Sequence, residues 1–369
     1  MASSSAATDP LVHVAFNSDA THFVAASSSG IRVFSCNPLE HVFSRSGFAF
    51  PDGSGSAGEV TAADVALPLV AAVVFGDTIR YWSERHGQMM SEAAMALTVH
   101  GVVRAVRHVG NLVVVAGEDR VTLHETSLLL HGVVKRVMEV ETGPNPWGAC
   151  ALAQTTTTDG GNSFVLACPS LVGGDVQIWH GADKEGRRVD VRTRSGERDV
   201  ACLELSRDAR LLCSTDSWGR VLCIFSTADG MILQQLRRCG GIVEICYIAF
   251  SPNSKWLAVS NDQGVNLFRV RVDLIPWTVP NDLLEASDEL MDSYIRAYII
   301  TSFMAEMPVA TFRLVPGVRY VAAFGQEQNT IQVISMLGSF YRCQFDPVRG
   351  HRKQVEHIDL TEMKWTTIQ

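Results

Sequence analysis

Residues Ile245–Phe268 read ICYIAFSPNSKWLAVSNDQGVNLF. An apolar run is followed by a polar Ser-x-Asn turn, a second apolar run, an Asn/Asp/Gly turn and a third run ending in Phe. Such closely spaced apolar runs, separated by turn-forming residues, predict three antiparallel strands joined by hairpins. The same order recurs upstream in Val12–Phe34 (VHVAFNSDATHFVAASSSGIRVF) and in Val200–Phe225 (VACLELSRDARLLCSTDSWGRVLCIF). Fainter copies occupy Val60–Trp82, Val102–His124, Gly148–Trp179 and Val309–Val333, the last continued by Gly338–Phe345. That makes seven units. A repeat of about 40–50 residues, each three or four strands long, marks propeller blades, because one blade cannot bury both its faces while a closed ring can. The expected fold is therefore all-β, a seven-bladed WD40-like β-propeller spanning 10–348, with tails at 1–9 and 349–369.

Between the units, Pro51–Gly58 (PDGSGSAG), Thr155–Gly161 (TTTTDGG) and the Arg-rich Asp183–Glu197 read as loops. Residues 281–303 break the pattern: Leu283, Leu284, Leu290, Met291, Tyr294, Ile295, Tyr298 and Ile299 recur at helical spacing, opposite Asp282, Glu285, Asp288, Glu289 and Asp292.

Composition narrows the function. The 369 residues are 47% hydrophobic and 19% charged, which suits a large core. A net charge of −8 argues against nucleic-acid binding, which needs a basic surface to displace counterions. The opening MASSSAATDP has no basic stretch followed by an apolar run, and VALPLVAAVVF at Val65–Phe75 is too short to span a bilayer, so a cytoplasmic protein is expected. Nine cysteines without C-x-x-C spacing fit reduced, buried thiols and predict neither a metal nor a cofactor. There is no G-x-S-x-G elbow, no phosphate-binding glycine loop before a helix and no crowding of acids on the inner strands, so catalytic residues are not expected. His351 and His357, in the polar stretch GHRKQVEH, read as part of a solvated tail.

One local feature asks for a ligand. Leu236-Arg237-Arg238-Cys239-Gly240-Gly241 lies on or beside the outer strand of the fifth unit. Adjacent residues of a strand point to opposite sides, so each arginine would serve a different neighbouring blade. The guanidinium fork matches phosphate oxygens. Two arginines near a glycine turn are also what a solvated surface presents, and the pair by itself does not decide between these readings.

Taken in order along the chain, these features resemble the PROPPIN (WIPI-type) family of autophagy propellers. The family's Phe/Leu-Arg-Arg-Gly hallmark stands here as Leu236-Arg237-Arg238-Cys239-Gly240. Asn145-Pro146-Trp147-Gly148 resembles the entry to its fourth blade, Asp199-Val200-Ala201-Cys202 the opening of its fifth, and Gly30-Ile31-Arg32-Val33-Phe34 with Pro38-Leu39 its first. The resemblance implies binding of phosphatidylinositol 3-phosphate and phosphatidylinositol 3,5-bisphosphate through Arg237 and Arg238, with Ser214, Ser217, Arg220 and Ser260 as further contacts. It implies scaffolding of autophagosome formation with a rod-like lipid-transfer protein, recruitment of a monomer to preautophagosomal, endosomal or vacuolar membranes, and no catalysis. Several family positions differ: Cys239 replaces a glycine, Gly196 stands where histidine is frequent, Gly219-Arg220-Val221 lacks a threonine, and Gly264-Val265-Asn266 is one residue short. The alternative expectation is a protein–protein scaffold with degenerate lipid pockets. Residues 279–303 occupy the family's membrane-inserting loop, although an acidic face suits packing on the propeller equally well.

Overall fold

The repeat folds as its turns direct. In the computed structural model, which describes residues 9–48, 58–66, 70–83, 88–89, 97–98, 101–126, 134–156, 162–182, 186–193, 199–219, 221–237, 245–272 and 306–360, the Ser-x-Asp/Asn turns share one construction. In the fifth unit Ser206 Oγ accepts the Leu211 amide at 3.0 Å and donates to Asp208 at 2.6 Å. In the sixth, Ser251 Oγ accepts the Trp256 amide at 3.0 Å and donates to Asn253 at 2.8 Å. Ala20, Ala209 and Ser254 hold the same place in three such turns, each with φ between 55 and 59°. A left-handed non-glycine residue persists only where its surroundings fix it, here through the side-chain hydrogen bonds of the turn.

Seven antiparallel sheets result, each built from consecutive strands. They are β1–β4 (Leu11–Phe16, His22–Ser27, Gly30–Cys36, Leu39–Ser46), β5–β9 (Ala62–Ala66, Val70–Phe75, Thr78–Ser83, Gln88–Met89, Leu97–Thr98) and β10–β13 (Ala105–Val109, Leu112–Ala116, Arg120–Thr126, Val134–Glu141). Then come β14–β17 (Ala151–Thr156, Asn162–Pro169, Val176–Ala182, Arg187–Val191), β18–β21 (Val200–Leu205, Leu211–Asp216, Val221–Ser226, Ile232–Arg237), β22–β25 (Ile245–Phe250, Trp256–Asn261, Gly264–Arg269, Ala310–Arg313) and β26–β29 (Tyr320–Phe324, Thr330–Ser335, Ser339–Phe345, Arg352–Asp359). The innermost strands β1, β5, β10, β14, β18, β22 and β26 touch in that order, and β26 returns to β1. The molecule is a seven-bladed propeller.

Its core is divided among the seams. Seven buried apolar clusters each join two neighbouring blades. The last seam closes the ring without a shared strand: Phe23 stacks on Phe34 at 4.9 Å and on Phe340 at 5.9 Å, and Arg342 donates to the Cys36 carbonyl at 2.7 Å. Fully burying an aromatic side chain stabilises by about 2–3 kcal/mol, so this aromatic stack takes the place of a strand exchanged between the ends.

Three expectations shift at the outer strands. Arg187–Val191, within the segment read as a loop, is β17. Ala310–Arg313, read as the start of the seventh unit, is β25 and completes the sixth blade. Arg352–Asp359, read as tail, is β29, pairs with β28 and moves the end of the propeller beyond residue 348. Outer strands are packed on one side and wetted on the other, so they lack the apolar runs that betray the inner three. The helical-looking 281–303 lies outside the described residues.

Candidate functional site

The outer strand of the fifth blade sorts its residues by side. Leu236 is fully buried in the seam between blades five and six, against Leu222, Ile248 and Val259. Arg237, the next residue, points the other way and is exposed at the strand's end, opposite Val221. Val221 packs into the seam between blades four and five, so Arg237 belongs to that side. Ser214 shares it, since its partner Cys223 lies in the same cluster; its side chain is buried. Arg238 and Arg220 lie outside the described residues.

The turn beside Arg237 is built by Asp216. Its Oδ1 accepts the amides of Trp218 and Gly219, each at 3.1 Å, and Gly219 takes φ +60°. Ser217 is half-buried there, its amide donating to the Asp199 carbonyl at 3.2 Å, while Trp218 is 40% exposed. Ser260 is elsewhere. It is fully buried, and its hydroxyl donates to the Tyr320 carbonyl of the seventh blade at 2.6 Å. Thus Arg237 and Ser214 face the seam between blades four and five, Ser217 lies in the turn at that end of the fifth blade, and Ser260 ties blade six to blade seven.

Two residues that the sequence did not single out brace this edge. Buried Gln234 donates to the Arg269 carbonyl at 3.0 Å and to Glu306 at 3.1 Å, and accepts the Arg271 amide at 3.0 Å. Glu306 forms a parallel bridge with Leu236 and pairs with Arg271 at 3.2 Å. The edge carrying Arg237 is therefore fastened to the points where the chain leaves and re-enters the sixth blade.

A second polar cluster occupies the axis. The inner strands are mostly apolar, as expected, but β5 and β18 each contribute one carboxylate. Arg107 of β10 reaches Glu204 of β18 at 3.0 Å and lies 5.3 Å from the centre of the Tyr247 ring on β22. Burial opposes the Arg107 charge, but Tyr247 and Glu204 outweigh it and hold its pKa above the usual arginine value. Burial raises the Glu204 carboxyl, against the pull of Arg107. Nearby, the buried Asp64 accepts from the His108 backbone amide at 2.5 Å and lies 3.3 Å from His108 Nδ1. Burial pushes His13 down to about 4, against the attraction of Asp64. Arg107 pairs with Glu204 and Asp64 is held by the His108 backbone amide, so the cluster reads as a strut across the ring. No group of three or more potential metal ligands occurs among the described residues.

Known proteins bear on both fold and role. No family model matches the chain. It is 28% identical to autophagy-related protein 18e of Arabidopsis thaliana over 363 residues, covering 94% of this chain and 87% of that relative. Over 257 residues it is 26% identical to autophagy-related protein 18 of Schizosaccharomyces pombe, covering 61% of this chain and 66% of the relative. Among solved structures it resembles Kluyveromyces lactis Hsv2 with its complete 6CD loop, with a TM-score of 0.68 and 14% identity over 95% of this chain and 99% of that one. It also resembles the propeller in a complex of KlAtg21 with the coiled coil of AgAtg16, with a TM-score of 0.69 and 14% identity over 95% and 99% of the two chains. At such low identity the structural likeness shows the fold, and the sequence relatives are autophagy proteins.

Proposed function

We propose, from the premise that this chain is a PROPPIN β-propeller of autophagy, that it is a phosphoinositide effector. It binds phosphatidylinositol 3-phosphate and phosphatidylinositol 3,5-bisphosphate at the rim of blades five and six, and it scaffolds autophagosome formation there. The observation that carries this reading is the opposed placement of Leu236 and Arg237. The leucine locks the strand into one seam, and the arginine is held at the exposed end on the other side. With Arg238 next in the sequence, the reading assigns two phosphate-gripping guanidiniums to this edge. Recruitment is peripheral, from the cytoplasm to preautophagosomal, endosomal or vacuolar membranes, and the protein partner is a lipid-transfer protein of the autophagy machinery.

One observation favours a second reading. The Ser260 hydroxyl is committed to the Tyr320 carbonyl, which removes one polar group from the lipid set. A scaffold with degenerate lipid pockets would carry that arrangement equally well. Flotation of the full chain with neutral phosphatidylcholine vesicles, with and without phosphatidylinositol 3-phosphate, separates the two. The effector floats only with the 3-phosphorylated lipid. A chain that stays at the bottom with both lipids is a bare scaffold.

A further inference from the structure

A sizeable cavity of the described surface lies away from the arginine edge. It measures about 660 Å³ and opens between blades six and seven. Its walls are the first-to-second-strand turns of those blades, around Ser254 and Asn329, whereas Arg237 sits level with the second-to-third-strand turn of blade five. The cavity is thus at the other end of the ring.

The floor is aromatic and recessed. Trp256, Phe324 and Phe345 are each less than 9% exposed and meet edge to face, Trp256 and Phe345 at 5.1 Å and Phe324 and Phe345 at 6.5 Å. The rim is cationic. Exposed Lys255 stands on the sixth-blade turn, and the Arg269 guanidinium lies 5.9 Å from the centre of the Trp256 ring. Arg271 also lines the cavity but is neutralised by Glu306 at 3.2 Å. The carboxylate on the opposite wall, Glu327, accepts from Asn37 of the first blade at 3.3 Å, which draws it toward that blade. At the mouth, Pro347 leads to Val348, an apolar side chain 88% exposed. A locally positive cleft stands out on a chain whose net charge is −8.

We infer that this cleft docks an acidic peptide segment of a partner protein, with one aromatic or large aliphatic side chain seated on the Trp256–Phe345 floor and flanking carboxylates on Lys255 and Arg269. A cavity of this size, apolar below with a few convergent polar groups above, suits a side-chain anchor. Carboxylates at the rim add steering and register. A flat bilayer cannot reach a recessed floor, whereas a projecting side chain can, so the observations favour a peptide over a membrane. The cleft is separate from the proposed lipid edge and stands whether or not that edge binds lipid.

Fluorescence polarisation with fluorescein-labelled heptapeptides tests the inference: DEFDELD, its anchorless counterpart DEADEAD and its basic counterpart KKFKKLK. DEFDELD should bind saturably and at least about tenfold tighter than the other two, weakening as salt rises. The variant Lys255→Glu with Arg269→Glu, whose surface position leaves thermal unfolding unchanged, should weaken it by at least about tenfold. Arg237→Thr with Arg238→Thr should leave it unaltered. Equal binding of the three peptides, or full DEFDELD binding by the Lys255/Arg269 variant, overturns the inference. So does loss of vesicle flotation in that variant with peptide binding intact, which would assign the cleft to a membrane.

Discussion

At the axis of the ring, Arg107, Glu204 and Tyr247 come from the third, fifth and sixth blades and turn their charge and polarity on one another. On the rim of the fifth blade, Arg237 ends an outer strand and turns its charge outward. Both sites are built on inner or outer strands of the same repeat, yet their charges do different work. The axial pair holds distant blades in register, and any partner it needs is already inside the molecule. The rim is positioned by its neighbour through Leu236, Gln234 and Glu306. The difference teaches where to look for function in a repetitive ring: in charge that an outer strand holds at the exposed rim.

Several substitutions would break or sharpen that contrast, and the largest effect belongs at the axis. Glu204→Ala strands Arg107 beside the Tyr247 ring. Removing one partner of a buried pair costs about 3–5 kcal/mol. Since the two side chains keep 28% and 22% exposure, about 2–4 kcal/mol is expected in urea unfolding. Arg107→Met with Glu204→Leu should recover most of it, because both charges leave together.

Acid should act on the interior next. Burial lowers His124 to about 4 from an ordinary value near 6.5, with Arg136 adding to the effect and Glu139 opposing it. The folded state then binds fewer protons than the unfolded chain between those values. Stability is fully present above pH 6.5 and is lost as pH falls toward 4, by on the order of 3 kcal/mol for this one group. Thermal unfolding followed from pH 7 to 4.5 should show the fall, and His124→Gln should make it shallower. A variant that titrates like the parent chain would remove His124 from the account.

Smaller effects separate seam from rim. Ser260→Ala deletes the hydrogen bond to the Tyr320 carbonyl and should cost about 1 kcal/mol in urea unfolding. Vesicle binding should not change, and a lost lipid response would instead place Ser260 in the lipid site. Arg237→Thr should shift stability by less than about 0.5 kcal/mol, as exposed substitutions do. Its effect should appear in lipid binding, which the axial variants leave alone wherever they remain folded.

Much of this molecule is legible in its sequence, and the limits have physical causes. The three inner strands of each blade are apolar on both faces, so runs such as Leu211-Leu212-Cys213 announce them. The outer strands do not. β29, written RKQVEHID, is wet along nearly all its length and is held by pairing with β28, a partner that composition cannot reveal. The arginine edge was legible because a strand's alternation is local: Leu236 in, Arg237 out. Gln234 and Glu306 were not, since their hydrogen bond joins positions 72 residues apart. The axial pair is hidden for the same reason, with 97 residues between Arg107 and Glu204. The cleft between blades six and seven exists only once two blades are side by side.

The central claim is that the rim of blades five and six grips a phosphorylated inositol ring through two diverging arginines. Flotation of the chain and of its Arg237→Thr, Arg238→Thr variant, on the same vesicles containing phosphatidylinositol 3-phosphate, tests it most directly. The account predicts that the parent chain rises with the vesicles while the variant, unfolding at the same urea concentration, stays below. Equal flotation of both proteins would contradict it.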